Sequence, residues 1–213
     1  MLTLNRGRSA LYDGTGRRFD PARRSWSPPG GQAGGEPISR LDAVRWLQRE
    51  SGRPCRVPVG VVGSRRAGAD ETRPAEELGA IMADLGLTVL CGGRGGVMEA
   101  VCRGVERGGG LSIGLLPGDA PDSANPHVTV PLATGIGVAR NALIARAALC
   151  LIAFGGGYGT ISEMAFGLQF GRPVFALPGA PELAGATFVA DAGAAAAAVA
   201  GAVLGLDRPS SEP

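Results

Sequence analysis

The chain has no lysine: all 21 of its basic residues are arginine. Chemistry that runs through a side-chain amine is excluded, including a Schiff base with pyridoxal phosphate and the phosphate-binding lysine of a Walker loop. Histidine occurs once, as His127, so no Ser/His/Asp or Cys/His arrangement can be argued around it, and it reads as a loop residue. Cysteine is sparse: Cys55, Cys91, Cys102 and Cys150 lie far apart and form no CxxC pair. With no hydrophobic signal peptide ahead of them, they read as reduced thiols in a cytoplasmic protein. No metal site is expected, because no clustered His/Cys spacing exists. Cys91 reads as a small apolar strand residue rather than a nucleophile. Long hydrophobic runs are lacking too. The longest uncharged apolar stretch, Ala192 to Leu206, is shorter than the roughly 20 residues that span a bilayer. It reads as a small-residue helix packed on a sheet, with no membrane partner expected.

Glycine, by contrast, is abundant, at 36 of 213 residues. A chain of this length has room for one sizeable core and an appendage, and its glycines point to tight turns or close ligand approaches. Charge is unevenly placed. Residues 1 to 53 carry ten arginines against five acids, whereas residues 54 to 213 carry eleven against fourteen. Within the basic segment "YDGTG" offers a hairpin turn and "SPPGGQAGGEP" reads as a flexible linker. In "SRLDAVRWLQRES", Ser39 is a candidate N-cap, Leu41, Val44 and Leu47 fall at helical spacing, and Gly52 is a stop. Arginines without interleaved aromatics or a recognisable motif read as a solvated face, so nucleic acid is not an expected partner.

From Val57 the sequence alternates short apolar runs with longer helical patterns. "VPVGVVG", "LTVLCGG", "LSIGLLPG", "LCLIAFGGG" and "RPVFALPG" read as strands. Runs that are apolar throughout are buried on both faces, which implies a parallel sheet covered by helices on each side. The expected fold is therefore α/β: a Rossmann-like, doubly wound parallel sheet in a single domain with an N-terminal extension. The expected boundaries are 1–53 for the basic extension with one helix, partly flexible, 54–206 for the Rossmann-like domain, and 207–213 for a polar tail.

Three of these strands end in glycine-bearing turns: Gly63-Ser64-Arg65-Arg66, Gly92-Gly93-Arg94-Gly95-Gly96, and Gly155-Gly156-Gly157-Tyr158-Gly159-Thr160. The carboxyl ends of parallel strands share one edge of the sheet, so the turns should converge where such folds bind ligands. A glycine turn feeding a helix exposes backbone N–H groups and the positive end of the helix dipole to an anion. Phosphate is the ligand group expected there. The candidate binding residues are Gly63, Ser64, Gly92, Gly93, Gly95, Gly96, Gly156, Gly157, Tyr158, Gly159 and Thr160. No GxGxxG follows the first strand and no acid stands about 20 residues later, which argues against an ordinary NAD site.

"GGGYGTISE" closely resembles the PGGxGTxxE signature of the Lonely Guy (LOG) proteins, also mislabelled lysine decarboxylases, and "CGGRGGVMEAV" resembles that superfamily's other glycine loop. The resemblance covers about residues 57 to 178. It implies a phosphoribohydrolase that cleaves the N-glycosidic bond of nucleoside 5'-monophosphates, with Arg140 and Glu163 at the positions of the family's catalytic arginine and glutamate. Gly155 stands where LOG enzymes have proline, and Asn141 where they usually have lysine. "GIGVARNALIARAA" followed by "GGGYGT" is more similar to the bacterial branch related to molybdenum cofactor carrier proteins. That likeness implies the alternative: a non-catalytic carrier or sensor of a phosphorylated pterin or nucleotide. No cofactor is required on either reading, a bound nucleotide or molybdopterin-type molecule being the ligand. Family members assemble through helices near the site, so a homodimer or higher homo-oligomer is expected. A PLP-dependent lysine decarboxylase is excluded, since no lysine exists to hold the cofactor.

Individual residues keep two readings. Thr160-Ile161-Ser162-Glu163 matches a T-x-x-E capping box, which needs no substrate, yet a first-turn carboxylate beside the loop is also held near a ligand. Arg140 opens a predicted helix, where a cation opposes the dipole unless an anion compensates; the alternative is a solvated arginine. Glu99 either contacts the ligand or caps its helix. Arg65, Arg66 and Arg94 either meet the anion or are solvated, and Arg146 reads as structural or interfacial.

Overall fold

The computed structural model describes residues 1–29 and 34–206. Residues 30–33 of the expected linker and the whole 207–213 tail lie outside the described residues. The chain forms two units, one holding Met1–Cys55 and the chain from Ala197 on, the other Arg56–Ala196.

In the first unit the strands β1 (Leu2–Asn5), β2 (Ala10–Tyr12) and β5 (Glu36–Ile38) form an antiparallel sheet in the order β2-β1-β5, while β3 (Phe19–Asp20) pairs with β4 (Ser25–Trp26). One helix, α1 (Arg40–Arg49), follows. The strands are additional to the single helix expected from sequence. Leu2 and Leu4 are buried in alternation with half-buried neighbours, but a four-residue alternation is too short to read among arginines and glycines. Asp13 organises the "YDGTG" turn: its Oδ1 accepts from the Thr15 and Arg17 N–H groups, and its Oδ2 from Arg17 Nε at 2.6 Å. Burial pushes its carboxyl up, but the hydrogen bonds from Arg17 and Thr15 outweigh it and hold the pKa below the ordinary value. Ser39 caps α1 as expected, accepting from the Asp42 N–H, and Val44 and Leu47 are fully buried.

The second unit is built on a seven-stranded, wholly parallel sheet. Its strands are β6 (Val59–Gly63), β7 (Val89–Cys91), β8 (Ser112–Leu116), β9 (Val130–Ala133), β10 (Leu151–Phe154), β11 (Val174–Ala176) and β12 (Thr187–Phe188), in the order β12-β11-β10-β6-β7-β8-β9. The helices are α2 (Ala69–Leu85), α3 (Val97–Arg107), α4 (Arg140–Ala147), α5 (Tyr158–Gln169) and α6 (Ala192–Val203), the last running on into the first unit. This is the Rossmann-like doubly wound α/β fold that the continuous apolar runs imply. β7, β10 and β11 are buried at every residue. Ile144, Leu151, Met164 and Val174 pack in one core cluster, joining two helices to the sheet. No helix among the described residues is long and apolar enough to cross a membrane.

Topology places the site. The chain adds β7, β8 and β9 on one side of β6, then returns to lay β10, β11 and β12 on the other. Its direction switches between β6 and β10, whose carboxyl ends meet where Gly63 pairs with Phe154. Connections leaving there diverge to opposite sides, and a crevice opens between them.

Candidate functional site

The crevice holds about 290 Å³. Gly63, Ser64 and Arg65 line it from the β6–α2 loop, Arg94 and Met98 from the second loop and the start of α3, and Pro117 from the end of β8. Val138, Arg140 and Asn141 come from the start of α4, and Gly157, Gly159, Thr160 and Glu163 from the start of α5. The three glycine turns thus converge, although not every expected residue reaches the cleft. Gly92, Gly93, Gly95, Gly96 and Gly156 lie outside the lining, and Val97 N–H donates to Ser64 O at 3.0 Å to tie the second loop to the first. Tyr158 is 92% exposed, and Glu99 lies in the first turn of α3 beside Gly95, outside the lining. Arg66 is exposed and outside it as well.

Arg140 and Glu163 face each other at the floor. Arg140 Nη1 lies 3.7 Å from Glu163 Oε1, with side chains only 11% and 9% exposed. That distance is an ion-pair contact rather than a hydrogen bond. Arg140 Nε and Nη1 are both buried with no hydrogen-bond partner. A desolvated guanidinium with idle donors is costly unless something anionic meets it. Burial raises the Glu163 carboxyl to about 7, against the lowering pull of Arg140. Burial likewise lowers the pKa of Arg140, while the nearby Glu163 opposes that effect. The guanidinium fits because residue 92 is glycine: a β-carbon there would lie 2.3 Å from Arg140 Nη1.

The start of α5 corrects the expected capping box. Gly157 is the N-cap and no side chain caps it. Ile161 N–H already donates to Gly157 O at 3.0 Å, so Thr160 sits inside the first turn and cannot supply the cap that a T-x-x-E pattern requires. The positive φ values of Gly155 and Gly156 turn the chain into the helix earlier than the side chains indicate. Thr160 packs on Gly156 instead, and Glu163 is left without the backbone N–H that a capping box would provide. The first turn is braced from α4: Asn141 Nδ2 donates to Ser162 Oγ at 2.8 Å, and Ser162 Oγ donates to Gly159 O at 2.7 Å. The N-termini of α3 and α5 both lack side-chain caps; apart from Val97 N–H, which donates to Ser64 O, their first-turn N–H groups are left available to an anion.

Glu71 is the residue the sequence reading missed. Its Oε2 accepts from Gly68 N–H at 3.1 Å and its Oε1 from Ser64 Oγ at 2.8 Å, so one carboxylate caps α2 and ties down the first loop. It also rests against Gly155, where φ is +51° and a methyl group would lie 1.5 Å from Glu71 Oε1. This accounts for glycine at a position where the resembling enzymes have proline, since proline requires φ near about −65°. The G-x-x-E spacing of Gly68 and Glu71 was the available signal. Gly155→Ala is expected to lower stability by about 2 to 4 kcal/mol through left-handed strain and displacement of Glu71, with Gly155→Pro worse. A urea midpoint equal to wild type would refute this account.

Other candidates fall outside the cleft. Arg146 stacks on Phe170 at 4.1 Å, a structural role. His127 Nδ1 pairs with Glu106 at 2.7 Å. Cys91 is buried in β7 with its sulfur 3.6 Å from that of Cys102. Asn125, also unanticipated, clamps the second loop by donating from its N–H to Gly93 O and from Nδ2 to Arg94 O.

The molybdenum cofactor binding protein of Rippkaea orientalis has a similar structure, with TM-score 0.64 and 28% identity over 68% of this chain and 96% of that one. The molybdenum cofactor carrier protein of Chlamydomonas reinhardtii also aligns with TM-score 0.64, at 31% identity over 70% of this chain and 99% of its own. An uncharacterized protein of Archaeoglobus fulgidus is 40% identical over 119 residues, 56% of this chain and 78% of the relative. The model of the SLOG cluster4 family (LDcluster4) matches residues 56–203, which include the sheet, the three glycine turns, Arg140 and Glu163. The chain therefore belongs to the SLOG cluster4 family, within the LOG-type proteins.

Proposed function

We propose that the cleft binds a phosphorylated heterocycle, and that the protein is a carrier for a pterin phosphate of the molybdenum cofactor kind. One observation carries the reading: Arg140 is buried at the meeting point of the glycine turns with Nε and Nη1 lacking a hydrogen-bond partner. A phosphate oxygen pair can bridge Nη2 with either of these nitrogens bidentately, while first-turn N–H groups of α3 and α5 other than Val97 N–H take the remaining oxygens. Met98, Pro117 and Val138 offer apolar walls suited to a flat ring. The pterin is supported by the names of the two solved relatives and by the "GIGVARN" likeness to the bacterial branch. The bound molecule is cargo, and no further cofactor is invoked.

Hydrolysis of a nucleoside 5'-monophosphate is the second reading, favoured by Glu163 at 3.7 Å from Arg140. A carboxyl raised to about 7 has acid and base forms both available near neutrality, as water activation and protonation of a leaving base require. Arg140 and Glu163 are the catalytic pair on this reading. Native mass spectrometry of protein purified from its source, with parallel incubation in AMP, GMP, CMP and UMP, separates the two. A co-purified pterin phosphate without release of ribose 5-phosphate is the carrier result, whereas release of ribose 5-phosphate selects the hydrolase. No ligand, no turnover and no thermal shift on adding pterin or nucleotide would overturn both.

The same spectrum reads assembly. Ile136, Val138, Leu143 and Tyr158 are exposed apolar side chains around the starts of α4 and α5, which supports packing of a second copy over those helices. A homodimer is the expected mass, and a monomer alone would refute it.

A further inference from the structure

Resting on the anion-site reading, we infer that the cleft takes up its anion together with a proton: the incoming group replaces Glu163 as partner of Arg140, and Glu163 enters the complex as the neutral acid. The geometry forces the exchange. Glu163 Oε1 stands 3.7 Å from Arg140 Nη1, too far to satisfy the guanidinium, whose Nε and Nη1 have no other acceptor. An anion drawn to those donors brings negative charge against a carboxyl whose side chain is 9% exposed and receives no hydrogen bond among the described residues. Two negative groups against Arg140 in a desolvated site oppose each other's ionisation.

The other charged groups around the cleft do not take this role. Arg65 from the first loop, Arg94 from the second and Arg140 from α4 are the cations that line it. The Cys91 thiol of β7, beside Arg140, is pushed well above its ordinary value by its hydrogen bond to Cys102 and by burial, and stays neutral. Glu163 is the group lining the cleft that titrates near neutrality, since burial already brings it to about 7. Once protonated, its O–H can donate to the bound anion. The only covalent change is the O–H bond formed as the carboxylate takes a proton from solvent; the complex gains one anion and one proton, and the anion is released as pH rises. On the hydrolase reading the same step delivers an acid in position for the leaving base.

Sulfate is the probe, because it remains a dianion wherever Glu163 titrates. Its dissociation constant for the full chain is read by NMR titration in wild type and in Glu163→Gln. Wild-type Kd is expected to weaken about tenfold per pH unit above about pH 7, and the Gln variant to show a flat profile. A flat wild-type profile with saturable binding overturns the proton coupling and leaves the anion site standing. A slope that survives in Glu163→Gln belongs to another group, such as the Cys102 thiol, and also overturns it. Absence of saturable sulfate binding at every pH overturns the anion site and the coupling together.

Discussion

Arg140→Ala is expected to weaken binding of the phosphorylated ligand by about a hundredfold or more, while the protein remains folded. Truncating one partner of a buried, hydrogen-bonded charge pair costs about 2 to 5 kcal/mol, and about 1.4 kcal/mol is tenfold in Kd. Loss of the arginine does not strand a buried anion at neutral pH. Burial raises Glu163 and Arg140 is the lowering influence on it, so without Arg140 the carboxyl climbs further and stays neutral. Arg140→Lys returns the charge but not the planar fork, and an intermediate affinity is expected. Calorimetric titration with a phosphorylated pterin or AMP, alongside a thermal melt, measures both quantities. A folded Arg140→Ala protein that binds as wild type does would remove Arg140 from the site.

Glu163→Gln is expected to make the protein more stable than wild type from about neutral pH upward, and to match it only in acid. The folded-state pKa is about 7 against an ordinary 4.5. Because it is raised, the folded protein holds a proton that the unfolded chain gives up. Wild type therefore has its full stability below about pH 4.5 and loses it progressively up to about pH 7, where the buried carboxyl ionises. The difference amounts to about 3 kcal/mol, and the attraction of Arg140 is already contained in it. A neutral amide of the same shape escapes that loss, so the variant should melt about 6 to 10 °C higher at pH 8 and nearly together with wild type at pH 4.5. Thermal denaturation at both pH values tests this. If wild-type melting does not change with pH across that window, the buried-acid account fails. Turnover, if wild type has any, should fall to background in this folded variant on the hydrolase reading.

These expectations draw unequally on sequence and on structure. The inner strands were legible because a strand buried on both faces must be apolar throughout, and "VPVGVVG" or "LCLIAFGGG" has no other economical reading. The edge strands β9 and β12 were not. β9 carries Pro131 and is largely exposed, as an edge strand tolerates, and β12 has only two residues. The glycine turns were legible from composition, and their convergence followed from parallel topology. The true start of α5 was not, because glycines at positive φ leave no side-chain pattern by which to place a helix boundary.

By itself, the sequence determined the exclusion of lysine chemistry and the parallel α/β fold, and its likeness to the LOG signature offered Arg140 and Glu163 as candidates beside the glycine turns. The first two depend on residue identity and periodicity, which are local properties of the chain. Tertiary structure alone decided that Arg140 lies buried against Gly92 with Nε and Nη1 lacking a hydrogen bond, that burial raises Glu163 instead of a cap holding it, and that Glu71 rests against glycine at residue 155. Each of these depends on desolvation and on contacts between segments distant in the chain, and burial sets the protonation of a carboxyl as strongly as its own chemistry does.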